Sequence, residues 1–506
     1  MMASMPTFDA LPERIADYRA LREQLERAVL PLASSLDGRR FSVQASLHDL
    51  QLRPGGYVAL DDGRGGTRLG LLESLELVRE EAANLALPVE GTPLASVSTR
   101  LVVRSARGAG RLVDDDPRSF HDASARPATP AEVAAWLERR GGARAPLPVG
   151  ELSTAPGVPY ALDARGFDRH TFFCGQSGSG KTYSLGVVLE QLLLRTELRV
   201  IVLDPNSDFV RLREAHPGAD ADASSAWAQA AARISVHGAE AGAGGADERL
   251  RLRFPELTPA AHAALLRLDP IDDGDEYAEL TRLLGDERPD DFAALGRALT
   301  ESGTRIATRA RNLGVDRFAV WAREQQGSLL DALDRDDWRC LVVDLGALPD
   351  HQEQALVSGA LLTRLWERRA ARRPVLVVID EAHNVCPAAP ADALTALATD
   401  AAVRIAAEGR KYGIYLLAAT QRPQKVHQNV VSQCDNLVLM RLNSSADAAY
   451  AAGVFSFVPP ALIEQATLFG LGESLVAGRI SPQPAFVRFG ARVAQEGGAD
   501  VPADWA

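Results

Sequence analysis

The spacing of apolar residues changes character along the chain, and each change predicts a different kind of element. From Leu11 to Val29 the apolar positions Leu11, Ile15, Tyr18, Leu25 and Val29 fall between charged residues, one stripe of an amphipathic helix within residues 1–35. Phe41, Val43, Ala45 and Leu47 then alternate with polar neighbours, and YVAL at 57–60, RLGLLESLEL at 68–77, VEG near 90 and RLVVRS at 100–105 follow across Gly-rich turns. That period of two predicts a small antiparallel β-barrel or sheet over 36–105. Between Ala106 and Gly150 the composition shifts to Pro, Gly, Ala and Arg, which reads as a linker. One short helix interrupts it, opened by Thr129, Pro130 and Glu132 as a capping box ahead of Val133, Trp136 and Leu137.

After Phe167 short, nearly continuous apolar runs alternate with longer helical stretches, the mark of a parallel sheet buried beneath helices on both faces. The runs are TFFC at 171–174, RVIVLD at 199–204, CLVVDL at 340–345, VLVVID at 375–380, IYLLAATQ at 414–421 and NLVLMRL at 436–442. The expected fold is α/β, with a mostly parallel core from 151–212 and 336–445. The interval 213–335 is far longer than the ~12 residues a crossover needs, so it is expected to be a helical insertion. Residues 446–506 hold two further apolar runs, SLVAG and AFVRFG, and a polar tail.

The chain of 506 residues is too long for one core, and 46% hydrophobic with 24% charged residues is a globular balance. A formal charge of −12 excludes a global positive field, so any nucleic-acid site must be a local basic lining. Arg305, Arg309, Arg311 and Lys425 are candidates for one, or ordinary surface charges. The four cysteines, Cys174, Cys340, Cys386 and Cys434, lack the paired spacings of metal or disulfide frameworks, which leads us to expect a reducing cytoplasm. No run approaches the ~18 apolar residues of a membrane span, and no leader pattern opens the sequence, so a membrane partner is not expected.

The chemistry concentrates in a few places. Gly175-Gln-Ser-Gly178-Ser179-Gly180-Lys181-Thr182 is a complete phosphate-binding loop between a predicted strand and the helix that starts near Tyr183. Its glycines let backbone N–H groups face phosphates, Lys181 reaches the terminal ones, and Thr182 suits magnesium. Asp380 ends a buried strand where it can hold the magnesium shell, and the adjacent Glu381 can polarise a water, although an acidic pair there also suits a helix cap. Gln421 ends another strand where it can sense the terminal phosphate, or simply shape the turn before Pro423. Phosphoryl transfer gains from a cation on the transferring group, and Arg169 and Arg410 are candidates unless they are solvated charges.

RHTFFCGQSGSGKT at 169–182, LDPNSDF at 203–209, VLVVIDEAHN at 375–384, AAEGRKYGIYLLAATQRP at 406–423 and SQCDNLVLMRL at 432–442 together resemble the HerA branch of the HerA/FtsK superfamily of ring-shaped DNA translocases. The resemblance runs from about Phe41 to Arg488. It implies a RecA-like P-loop NTPase core behind a HAS-barrel-like β-barrel, a C-terminal brace on the neighbouring subunit, and a homohexamer hydrolysing ATP with Mg2+ between subunits around duplex DNA. By the same resemblance Arg169 is the finger acting in trans, Arg410 with Lys411 the pair acting in cis, and Asp204 a supporting acid. HerA-like proteins act with a nuclease or another effector in end processing or phage defence; the N-terminal amphipathic stripe is where we expect such a partner to dock. Asp380-Glu381-Ala382-His383 also spells the box of another helicase class, a weaker match than the wider set of motifs. The alternatives are a nucleotide-dependent ring scaffold that positions an effector enzyme, or a conjugation or secretion ATPase.

Overall fold

The computed structural model describes residues 16–17, 19–21, 31–47, 50–63, 66–79, 85–88, 96–99, 104–114, 116–140, 145–239, 246–286, 305–322 and 326–497. The helix expected over Leu11–Val29 therefore lies largely outside the described residues, as does the end of the polar tail. The chain forms two units: residues 1–141 with 153–158, and residues 142–152 with 159–506.

The first unit is built on a closed antiparallel barrel in the order β1, β2, β7, β4, β3, β8. Its strands are β1 (Leu32–Ser35), β2 (Arg40–Ser46), β3 (Tyr57–Asp61), β4 (Thr67–Arg79), β7 (Arg104–Leu112) and β8 (Phe120–Pro127), while β5 (Leu85–Pro88) pairs only with β6 (Ser96–Thr99). Along β2 the alternation holds, so Phe41, Val43 and Ala45 are buried, and Phe41 and Val43 share a core with Val58, Leu60, Leu72 and Phe120. The expected linker is the main departure, because two of the six barrel strands, β7 and β8, lie within or overlap 106–150. The glycines of β7 are packing residues: a Cβ on Gly110 would stand 2.4 Å from Cζ of Phe41 and 2.5 Å from the Leu71 carbonyl oxygen. The helix Pro130–Arg139 follows, with the capping box of Thr129 and Glu132 formed and Val133 and Trp136 buried.

The second unit is organised by a twelve-stranded sheet. Its parallel part contains β18 (Cys434–Met440), β11 (His170–Cys174), β17 (Ile414–Thr420), β16 (Val375–Ile379), β12 (Arg199–Asp204), β15 (Cys340–Asp344), β13 (Ile234–Gly238) and the two-residue β14 (Glu248–Arg249), in that order. β11, β15 and β16 are buried at every position, as a sheet covered on both faces requires. All eight strands run the same way, so their C-terminal ends share one edge of the sheet and their N-terminal ends the other.

Two expectations change here. The interval 213–335 is not purely helical, because β13 pairs with β15, placing Ile234 opposite Cys340. ISVHG is too short and mixed to be told from a helix turn by its pattern. The segment assigned to bracing a neighbour also supplies β19 (Glu473–Gly478) and β20 (Ala485–Phe489), which extend this chain's own sheet antiparallel from β18 to β9 (Pro146–Leu152) and β10 (Pro159–Asp163). Their apolar faces are already covered at home, since Leu475, Val476 and Val487 are fully buried. Among the described residues no helix is long and apolar enough to cross a membrane.

Candidate functional site

The loop from Gly175 to Gly180 joins the end of β11 to the helix Lys181–Arg195. Gly178 and Gly180 have φ of +71° and +89°, backbone geometry that lets successive N–H groups turn towards one point. Gly175 donates its N–H to the Thr420 carbonyl at 3.2 Å, and Gln176 donates to the Arg441 carbonyl at 3.0 Å, so β17 and β18 hold the loop from both sides. Arg441 also donates from Nη2 to the Gly178 carbonyl at 2.9 Å. Thr182 is half-buried; Tyr183 is exposed and its hydroxyl accepts the Arg492 N–H at 2.7 Å.

Lys181 is 5% exposed, and its Nζ lies 2.5 Å from Oδ1 of Asp380 and 3.2 Å from Oε1 of Glu381. The glycine loop and the acidic couplet, separated by 199 residues, thus meet at the strand-end edge. Burial alone would lower the ammonium's pKa, but the two carboxylates outweigh it and hold it above the ordinary lysine value. Burial likewise raises Glu381, yet the Lys181 cation and the Gln421 amide win and leave it below the ordinary glutamate value. Glu381 is therefore a charged carboxylate at neutral pH, available as a proton acceptor.

Glu381 sits at φ 42°, ψ 51°, a left-handed conformation that costs a non-glycine residue about 1–2 kcal/mol. The turn aims its carboxylate back at the neighbouring strand end. Gln421 Nε2 donates to Oε1 of Glu381 at 2.8 Å, and His383 Nδ1 lies 3.3 Å from Oε2 of Glu381 and 3.1 Å from the Thr420 hydroxyl.

Asp204 ends β12 at the same edge, fully buried, and accepts the N–H groups of Phe209 at 2.7 Å and Asp208 at 3.0 Å. Burial pushes its pKa up to about 8 against those bonds. Asp208 is raised to about 6, first by burial and then by the charge of Asp380. The carboxylates of Asp204, Asp208 and Asp380 offer oxygens all within 4.8 Å of one another, and Asp380 Oδ2 and Ser179 Oγ are buried without a partner. Crowded carboxylate oxygens, with Asp204 and Asp208 pushed towards protonation and Asp380 Oδ2 left without a partner, fit a hard divalent cation such as Mg2+. Asp208 is not singled out by the sequence reading; the one signal for it is its place four residues after Asp204 in LDPNSDF.

Arg169, Arg410 and Lys411 do not join this site. Arg169 precedes β11 and Arg410 and Lys411 precede β17, at the strand-start edge, where Asp435 Oδ2 lies 3.5 Å from Arg169 Nε and 2.6 Å from Arg410 Nη1. The seven residues of β17 put Arg410 about 20 Å from the Gln421 end at ~3.3 Å per residue. A role in cis for Arg410 and Lys411 is therefore corrected; among the described residues it is Arg441 that bonds this chain's own phosphate loop. Of the basic candidates in the insertion, Arg309 is engaged by Asp273 at 2.7 Å and Glu276 at 2.8 Å, whereas Arg305 is exposed, as is Lys425 in the turn after β17.

Residues 147–286 match the family described as "Helicase HerA, central domain", and residues 270–425 match the FtsK/SpoIIIE family. A 155-residue segment is 32% identical to the DNA double-strand break repair helicase HerA of Sulfurisphaera tokodaii and, equally, to that of Saccharolobus solfataricus, covering 29% of this chain and 30% of each relative. Among solved structures, VirB4 of Thermoanaerobacter pseudethanolicus overlaps 69% of this chain and 97% of its own at 15% identity and a TM-score of 0.48.

Proposed function

We propose, because the chain belongs to the HerA/FtsK superfamily of ATPases, that it hydrolyses ATP with Mg2+ and couples hydrolysis to movement along duplex DNA. The carrying observation is that Lys181 stands 2.5 Å from Asp380 and 3.2 Å from Glu381 at the end of a parallel sheet. On this reading the sheet is a RecA-like core. Backbone N–H groups from Gly175 to Gly180 and the Lys181 ammonium hold the β- and γ-phosphates. Thr182 and Asp380, with Asp204 and Asp208 behind, are the residues that would hold Mg2+, which supplies neutralisation of phosphate charge. Glu381 accepts the proton of a water attacking the γ-phosphorus, the bond to the β–γ bridging oxygen breaks, and ADP and inorganic phosphate leave. Gln421, bonded to Glu381, reports the state of the phosphates to β17 and the Arg422–Lys425 turn beyond it.

Arg169 and Arg410 support a site shared between subunits. Both cluster on Asp435 at the edge away from their own Lys181, which supports a role at the nucleotide of a neighbour rather than at their own. That arrangement favours a closed ring, which we propose to be a homohexamer encircling DNA and working with a nuclease or other effector in double-strand break processing or phage defence. Tyr183 and Ser179 complete the nucleotide contacts. The four cysteines are unpaired and buried, which supports a reducing cytoplasm.

The test is Glu381→Gln. Hydrolysis should fall by about 10²–10⁴-fold while nucleotide binding persists, and wild-type turnover should rise with duplex DNA. Wild-type hydrolysis indifferent to DNA would shift the reading to the nucleotide-dependent scaffold; a normal rate in the Gln variant would remove Glu381 from its role.

A further inference from the structure

A pocket of about 310 Å³ opens at the strand-start edge of the sheet, where Arg199, Val375 and Ile414 begin β12, β16 and β17. β12 carries Arg199 at one end and Asp204 of the nucleotide site at the other, about 17 Å apart at ~3.3 Å per residue. This is therefore a separate place, and its chemistry differs from that of the acidic edge.

Five arginines line it: Arg199, Arg364, Arg368, Arg369 and Arg373. Asp334 holds both Arg364 and Arg368 at 2.7 Å, and Asp336 pairs with Arg373. Among the described residues Arg199 and Arg369 have no carboxylate partner. Their guanidiniums lie on aromatic faces, Arg199 over Trp338 at 4.5 Å and Arg369 over Trp366 at 4.5 Å and Tyr412 at 5.6 Å. Burial, and then the neighbouring charge of Arg373, hold Arg199 below the ordinary arginine value, so its charge is under-compensated where it sits.

Two buried donors of the lining also lack partners, Nε1 of Trp338, which is 3% exposed, and Nε of Arg364, against one unpartnered acceptor beside them, Oδ1 of Asp334. Orphaned buried donors are costly, and a pocket that has them together with an excess of positive charge is relieved by an oxyanion. Planar guanidiniums fixed on rings suit phosphate oxygens more than a lone carboxylate, because several can engage at once.

We propose that this pocket binds a phosphoryl group, from a nucleic-acid backbone or a mononucleotide, at a site distinct from the phosphate loop. The probe is inorganic pyrophosphate, read by the part of the intrinsic fluorescence that Trp338→Phe removes, a signal local to this edge. The full-length wild type should give a saturable change, and Arg199→Gln and Arg369→Gln should each shift its midpoint tenfold or more, with Arg199→Lys in between. Arg369 is partly exposed, so its variant keeps the test alive if Arg199→Gln fails to fold; unfolding midpoints check both. Competition by a duplex oligonucleotide identifies the backbone as the source, and competition by a mononucleotide alone identifies the free phosphate ester. No saturable Trp338-dependent change, or midpoints unaffected by both Gln variants, overturns the proposal. Because none of these readouts requires hydrolysis, failure here leaves the ATPase reading standing.

Discussion

Lys181 holds two buried carboxylates apart as much as it binds them. Asp380 is fully buried and Glu381 nearly so, so deleting the ammonium leaves negative charge without compensation. A broken buried pair of this kind costs about 3–5 kcal/mol, and Lys181→Ala should lower the unfolding free energy of the nucleotide-free protein by that order as well as abolish binding. Denaturant titration without nucleotide checks it; unchanged stability would show that the pair is not formed in solution. Arg441→Ala loses one partly exposed charged bond to Gly178, so the KM for ATP should rise by up to about tenfold with kcat little changed, a split that steady-state kinetics resolves. Lys181, Asp380 and Glu381 were legible because their motif constrains chemistry and spacing together. Asp208 and Arg441 were not, because proximity to Asp204 or to a strand end in the sequence does not say that Asp380 or the phosphate loop will lie beside them.

At the level of elements, the barrel and the core sheet each contain a residue whose environment makes a prediction. Gly110 on β7 faces the Phe41 ring, and Gly110→Ala should destabilise the first unit by about 1–3 kcal/mol through overpacking, with Phe41→Leu restoring part of it. Equal stability of the single and double variants would refute this contact. His170 opens β11, fully buried, and its Nδ1 accepts the Leu416 N–H at 2.9 Å. Burial and the nearby Arg410 lower its pKa to about 4, against about 6.5 unfolded. The unfolded chain therefore binds the extra proton first. Stability from neutral His170 is complete above about pH 6.5 and is lost as pH falls towards 4. His170→Gln should flatten that loss in unfolding midpoints measured at pH 5 and 7.5, and an unchanged slope would assign it elsewhere. The alternating strand β2 and the six apolar core strands could be read from their period, while β7 could not, because a glycine-rich strand shaped to admit a phenylalanine has the composition of a linker.

For the whole molecule, the separation of Arg169 from Lys181 along β11 predicts that activity belongs to an assembly. Arg169→Ala and Glu381→Gln should each be inactive, yet a mixture should recover roughly a quarter of wild-type sites, where an intact Glu381 meets a neighbour's intact Arg169. ATPase assays of mixed subunits decide it, and no recovery at any ratio would return both residues to one chain's site. Sequence alone determined the phosphate loop, the acidic couplet, the apolar strands and the capping box at Thr129, since each depends on residues close together and on a fixed backbone period. Only the folded chain decided that β13, β19 and β20 enter the sheet, that Asp208 joins Asp204 and Asp380, and that Arg410 stands at the far edge from the phosphates. Strand order and direction set those outcomes, and both are settled by which faces bury each other across hundreds of residues, a choice that no local pattern encodes.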